Sequence, residues 1–258
     1  MQDTAVKKIK AIYFDQGGVV AGDRIPLADD GRAYMEKIMA MTGIREDYKI
    51  LKERLLEGES RYKKWGMDSL IEAPASEVWP RWMLPEVSSD ILAPIAEELT
   101  LLYFQSKGKR TVNKDMKQVL QKLKENGYIV GLISNTWSRP LVHDELAAGG
   151  LAGIFEAVVL SSETGMRKPD EKIFLDALKG FNIEPENAAY VGDQPNRDVA
   201  GPKKAGYGLT IILTTKKLKP HHMEKDEHKP DIVIDSLTEL LDIFPGNPGL
   251  SCPETDTI

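Results

Sequence analysis

Ile9-Lys10-Ala11-Ile12-Tyr13-Phe14-Asp15-Gln16-Gly17-Gly18-Val19-Val20 is an apolar run that ends on a carboxylate and then on two glycines. Ile, Tyr and Phe suit a pleated, buried segment, so the pattern predicts a strand that delivers Asp15 to its end. Gly17-Gly18 permits a tight turn there. From this stretch alone Asp15 reads equally as a nucleophile, a metal ligand or the cap of a following turn, a place Asp often takes.

Working outward, the chain has the size and composition of a folded globular protein: 258 residues with 41% hydrophobic content, enough for one large or two modest domains. The net charge of −6 gives no electrostatic footprint for a nucleic acid or an anionic membrane, and neither is expected as a partner. The single cysteine, Cys252, sits in a Pro/Gly-rich tail and allows no internal disulfide, which fits a reducing cytoplasm. Lys7-Lys8 precedes an apolar run, but Asp15 and the glycines interrupt it and no small-residue cleavage site follows, so no signal peptide is expected. No segment is long enough to span a bilayer, and no feature sets an oligomeric state.

After Val20 the pattern changes. Residues 22–107 carry helical spacing, first in Tyr34, Ile38 and Met41, then in Tyr48, Leu51, Leu55 and Leu56, with no run that demands another sheet strand. Trp65, Trp79 and Trp82 lie among Pro74, Pro80 and Pro85, which predicts an irregular part. A further helix is expected from Ser88 to Phe104, bent or restarted at Pro94. This is read as an inserted helical domain.

From Asn113 a strand and helix rhythm sets in. Met116, Val119, Leu120 and Leu123 form one helical face, Gly127 stops that helix, and Tyr128 to Ile133 is a continuous apolar strand. Strands follow at 157–160, 188–191 and 209–213, with helices at 140–148 and 171–179 between them, an edge strand at 232–234 and a last helix at 237–243. Alternation of this kind implies an α/β fold with a doubly wound, Rossmann-like parallel sheet. The expected organisation is a core of 1–21 and 108–244, a helical cap of 22–107 and a flexible tail of 245–258.

In an open parallel sheet ligands bind beyond the carboxyl ends of the strands, and the endings here are polar. One gives Ser134-Asn135, whose hydroxyl can hold a phosphoryl oxygen or make a plain Ser turn. The next leads to Gly165-Met166-Arg167-Lys168-Pro169-Asp170, where Lys168 can neutralise a carboxylate and a phosphate together. Tyr190-Val191-Gly192-Asp193-Gln194-Pro195-Asn196-Arg197-Asp198 ends another strand with two carboxylates. Carboxylates over a phosphate site suggest Mg²⁺.

These four stretches, in this order, resemble the haloacid dehalogenase-like superfamily of hydrolases, in the subgroup whose helical cap lies between its first and second motifs. The resemblance covers the chain except its tail. The first motif is matched by Asp15 with Gly17-Gly18-Val19, the second by Ser134, the third by Lys168, and the fourth by Gly192-Asp193 with Asp198. It implies an aspartyl nucleophile at Asp15, Mg²⁺ held by Asp15, Asp193 and the backbone carbonyl of Gly17, Ser134 on the phosphoryl group, and Lys168 as electrostatic partner. Asp198 is then a support for the metal site, and Asn135 orients substrate. The expected substrate is a small phosphorylated metabolite, hydrolysed through an aspartyl-phosphate.

One departure matters. Phosphatases of this family usually carry a second Asp two residues after the nucleophile, as general acid, and this chain has Gly17. Backbone coordination survives and proton donation does not, so good leaving groups such as sugar 1-phosphates are expected to be favoured. The superfamily offers two rivals: a haloacid dehalogenase, which has no use for a metal carboxylate at Asp193, and a phosphonate hydrolase, which needs a cap lysine such as Lys52, Lys63 or Lys64. A phosphate-binding regulatory protein is a third. His221, His222 and His228 with their acidic neighbours read as a solvated loop rather than a transition-metal site, and His143 as structural.

Overall fold

The computed structural model describes residues 6–216 and 218–246; beyond residues 245 and 246 the expected tail, with Cys252, lies outside the described residues. Six parallel strands, β1 (Ala11–Phe14), β4 (Ile129–Ser134), β5 (Ala157–Leu160), β6 (Ala188–Gly192), β7 (Leu209–Leu213) and β8 (Ile232–Ile234), form one sheet in the order β5-β4-β1-β6-β7-β8. All of its pairings are parallel. The order reverses at β1, so β1 is central, and the reversal opens a crevice at its carboxyl end.

The period-two alternation of β1 builds two cores at once. Ile12 and Phe14 enter one apolar cluster with Met116, Val119, Leu120 and Leu123 of the helix Met116–Glu125. Ala11 and Tyr13 face the other way, into a cluster with Ile173, Phe174 and Ala177 of the helix Glu171–Ala177. Helices on both faces make the sheet doubly wound, as expected.

A third apolar cluster lies apart from the sheet and is built from helical residues between Met35 and Tyr103, joined from the core side by Trp137. Its helices are Arg32–Thr42, Tyr48–Ser69 and Ala96–Ser106, the last following Ser89–Leu92 and a short turn at Ala93–Ile95, as Pro94 foretells. Trp65, expected in an irregular stretch, lies within the long helix; Trp79 and Trp82 occupy a widened helical turn.

The segment leading into these helices departs from expectation. Ala21–Ile25 is a strand, β2, and pairs antiparallel with β3, Lys109–Val112, with Ala21 opposite Val112 and Arg24 opposite Arg110. Asp23, Arg24, Lys109 and Arg110 give this ribbon no apolar alternation, because it crosses between two bodies rather than lying on one core. On the far side, Ile71 bridges Met166, and Glu72 of the helical part ion-pairs with Arg167 next to Lys168. Among the described residues no helix is long and apolar enough to cross a membrane.

Candidate active site

Strand order decides which side chains meet. β1 lies between β4 and β6, with Phe14 in register with Leu132 on one side and Val191 on the other. Asp15 is therefore flanked by Ser134 at the end of β4 and Asp193 just after β6. All three are nearly fully buried. The chain then curls back, with Val20 N–H donating to Asp15 O and Ala21 N–H to Gln16 O. Gly18 makes this turn possible: its φ is +86°, and a Cβ there would lie 2.3 Å from Asp193 Oδ2.

Lys168 is completely buried. Its ammonium donates to Asp15 Oδ1 at 2.8 Å, Asp198 Oδ1 at 2.9 Å and the Tyr190 hydroxyl at 2.6 Å. An ammonium has three protons, so all three are used within the protein, and Lys168 acts as fixed counter-charge rather than as a direct phosphate donor. Burial, with Asp198 and Asp15 nearby, keeps the Tyr190 hydroxyl far above its ordinary pKa. It stays protonated and donates to Ile133 O.

Asn135, expected to orient substrate, has another engagement. Its Nδ2 donates to Lys168 O and its Oδ1 accepts from Lys168 N, so the side chain clasps the backbone of the lysine. Ser134 Oγ donates to Gln16 Oε1 at 3.0 Å, and Gln16 Nε2 donates to Glu145 Oε2 at 2.7 Å. Gln16, which drew no attention in the sequence, thereby holds the hydroxyl in place.

Asp198 serves Lys168 through one oxygen, and through the other accepts the N–H groups of Asp193 and Gln194. Burial alone would raise its pKa, but Arg197 and Lys168 outweigh that and hold it below the ordinary value. Asp193 is paired more loosely, with Arg197 Nη2 3.5 Å from its Oδ1. Burial, with Asp15 close by, pushes it up to about 6.

Asp15, Asp193 and Asp198 offer ligand oxygens within 4.8 Å of one another and are, among the described residues, the one acidic group so arranged. With Asp198 engaged by Lys168 and two backbone amides, Asp15 and Asp193 are the pair suited to a hard divalent cation, which needs one or two carboxylates plus water and substrate oxygens. The raised pKa of Asp193 comes first from burial and then from the Asp15 charge, and a cation at this pair would offset both. The sequence reading did not foresee Arg197: Nη2 is 2.5 Å from Asp15 Oδ2 and 3.5 Å from Asp193 Oδ1, lying across that pair.

Above these groups opens a cavity of about 720 Å³, lined on the core side by Asp15, Ser134, Asp193 and Arg197 and on the helical side by Glu59, Tyr62, Lys63 and Phe104. Trp137 packs 5.2 Å from the ring of Tyr62 and 5.4 Å from that of Phe104. Lys63 and Lys64 are exposed and Lys52 is half-buried, with Lys52 paired to Asp30 and Lys63 to Glu59. His143 is exposed on its helix, and His221 and His222 lie in a short turn at Pro220–Met223.

Residues 96–212 match the family described as haloacid dehalogenase-like hydrolase. That span holds Ser134, Lys168, Asp193 and Asp198, while Asp15 joins them only through the sheet. The chain is 29% identical over 243 residues to a glyceraldehyde 3-phosphate phosphatase of Pyrococcus furiosus, covering 93% of this chain and 94% of that one. It is 32% identical over 145 residues to a phosphoserine phosphatase of Thermus thermophilus, covering 56% of each. A 2-haloacid dehalogenase of Pseudomonas syringae has a similar fold, with a TM-score of 0.63 at 22% identity over 91% of this chain and 97% of that one.

Proposed function

We propose that this chain, whose residues 96–212 match the haloacid dehalogenase-like hydrolases, is a Mg²⁺-dependent phosphatase acting on a small phosphorylated metabolite through an aspartyl-phosphate. One observation carries this reading: Asp15 stands at the carboxyl end of the central strand with one oxygen locked to buried Lys168 and the other facing the cavity beneath Arg197. Residues 22–107 act as the cap over a core of 1–21 and 108–244, and the reaction belongs in a reducing cytoplasm.

Lys168 fixes Asp15 Oδ1, which leaves Oδ2 as the attacking atom once Arg197 gives way to substrate. Oδ2 forms a bond to phosphorus as the bond from phosphorus to the ester oxygen breaks. The Ser134 hydroxyl, oriented by Gln16, holds a phosphoryl oxygen. Water then attacks phosphorus, releases inorganic phosphate and restores the Asp15 carboxylate. Asp15, Asp193 and the backbone carbonyl of Gly17 would hold Mg²⁺, which would supply charge neutralisation on the phosphoryl group.

The relatives' names include two phosphomonoesters of three-carbon metabolites, and the cavity accommodates molecules of that size. Because Gly17 offers no proton, esters with acidic leaving groups, such as sugar 1-phosphates, are the better substrates. The test is a Mg²⁺-dependent screen of small phosphomonoesters with wild type and Asp15→Asn side by side. Phosphate release by wild type alone supports the reading. Halide release from 2-haloacids in EDTA, with no phosphatase activity, would replace it with carbon-centred chemistry.

A further inference from the structure

Of the four arginines lining the cavity, three are held by carboxylates: Arg24 by Glu145, Arg167 by Glu72 and Arg197 by Asp15. Arg110 has no hydrogen-bond or ion-pair partner among the described residues, and its Nε is buried and unsatisfied. It also faces a like charge, since the ribbon register sets Arg24 directly opposite Arg110. Two like charges in that relation are destabilising, and an unmet buried donor adds to the cost. Both penalties would be relieved by negative charge arriving at the guanidinium.

The place where it would arrive is defined by Gly17. A Cβ built on Gly17 would lie 3.6 Å from Arg110 Nη1 and 4.0 Å from Nη2. Arg110 therefore occupies the space where a side chain at position 17 would act. Gly17 is two residues from Asp15 and lines the same cavity. An ester group leaving phosphorus in line from Asp15 departs into this cavity, which Arg110 also lines.

We propose that Arg110 is a catalytic residue that stabilises the departing ester oxygen, substituting charge for the missing proton donor. The proposal rests on the phosphatase reading. As the Asp15 oxygen bonds to phosphorus, the electron pair of the breaking bond passes to the leaving oxygen, which becomes an alkoxide or phenoxide. A guanidinium does not give up its proton in a protein and so cannot act as the acid, and the oxygen takes its proton from water. The resulting hydroxide is consumed when the aspartyl-phosphate is hydrolysed. A preorganised donor aimed at developing charge is worth about 10²–10³ in rate, and its value grows as the leaving group becomes less acidic.

The experiment measures kcat/KM with Mg²⁺ for aryl and alkyl phosphomonoesters of graded leaving-group pKa, in wild type, Arg110→Met and Arg110→Lys. Arg110→Met should lose less than about threefold on the most acidic phenols and about 10²–10³ on alkyl esters, so that its dependence on leaving-group pKa is steeper than that of wild type. Arg110→Lys should fall between, and guanidinium ion added to Arg110→Met should restore part of the alkyl activity alone. A loss uniform across the series, or no loss, would overturn the proposal while leaving the phosphatase reading intact if Asp15→Asn is inactive. Failure of wild type to hydrolyse any ester would overturn both.

Discussion

Arg197 lies on Asp15 from the side opposite Lys168: Nη2 is 2.5 Å from Oδ2, while Lys168 Nζ is 2.8 Å from Oδ1. The two cations differ in what surrounds them. Lys168 is sealed, whereas the Arg197 side chain keeps 24% of its surface exposed. Three buried carboxylates without a metal need both charges, and only Arg197 can withdraw into solvent.

Arg197→Met should therefore destabilise the metal-free protein more than the metal-bound one. Breaking a buried pair costs about 3–5 kcal/mol, and partial exposure of Arg197 reduces this to about 1–3 kcal/mol. At this chain length that is a fall of several degrees in Tm. Thermal melts with and without Mg²⁺ check it: the Mg²⁺-induced rise in Tm should be larger in Arg197→Met than in wild type. An equal rise would mean that Arg197 does not compete with the ion.

Asp15→Asn should keep the fold and lose at least about three orders of magnitude in kcat on an activated aryl phosphate. The amide matches the carboxylate in size but is a poor nucleophile. Steady-state rates, with acid-quenched protein assayed for a covalent phosphoryl group, check this. Residual activity within about tenfold of wild type would remove Asp15 from the role.

Metal binding should weaken as pH falls through about 6, where Asp193 takes up a proton in the metal-free protein. A cation must displace that proton, so Mg²⁺ binding below this pH releases protons and above it does not. Calorimetric titrations in buffers of different ionisation enthalpy read the proton count directly. Asp193→Ala should abolish binding, and EDTA should silence wild type.

Gly17→Asp should not install a working acid. Gly17 is not among the glycines with positive φ, and a Cβ there meets nothing closer than 3.6 Å, so the variant should fold. Its carboxylate would pair with the Arg110 guanidinium, which favours the ionised form. Alkyl ester rates should stay at or below wild type in Gly17→Asp and rise above Arg110→Met in the double variant Gly17→Asp/Arg110→Met. A gain of tenfold or more in the single variant would mean that the two side chains do not meet.

Asp15, Ser134 and Asp193 were legible in the sequence because each stands at or just beyond the end of an apolar run, and a parallel sheet collects such ends along one edge, while Lys168 and Asp198 lie in the polar segments that follow two of those strands. Arg197 stood within a stretch already singled out, yet an arginine in a polar turn looks like any solvated one. Tyr190 was hidden for the opposite reason: in the apolar strand Ala188–Gly192 its ring explains its presence, and nothing announces that its hydroxyl accepts from Lys168. Asn135 was rightly placed beside Ser134, but the direction of its amide toward Lys168 is a matter of loop geometry. The ribbon of β2 and β3 was missed because charged residues fill both strands and they are far apart in sequence.

That ribbon also bears on how the chain is assembled. Ala21 is in register with Val112 and Ile25 with Lys109, so the long helical excursion leaves the sheet and returns to it at a single doorway. The entropy of closing a loop grows only with the logarithm of its length, about 0.6 kcal/mol for each doubling. Once β2 and β3 are paired, the length of what lies beyond them costs the six-stranded sheet little. Lengthening, shortening or exchanging the excursion beyond Ile25 and Lys109 is thus thermodynamically gentle on the Asp15 centre, and substrate choice can drift while the chemistry stays in place.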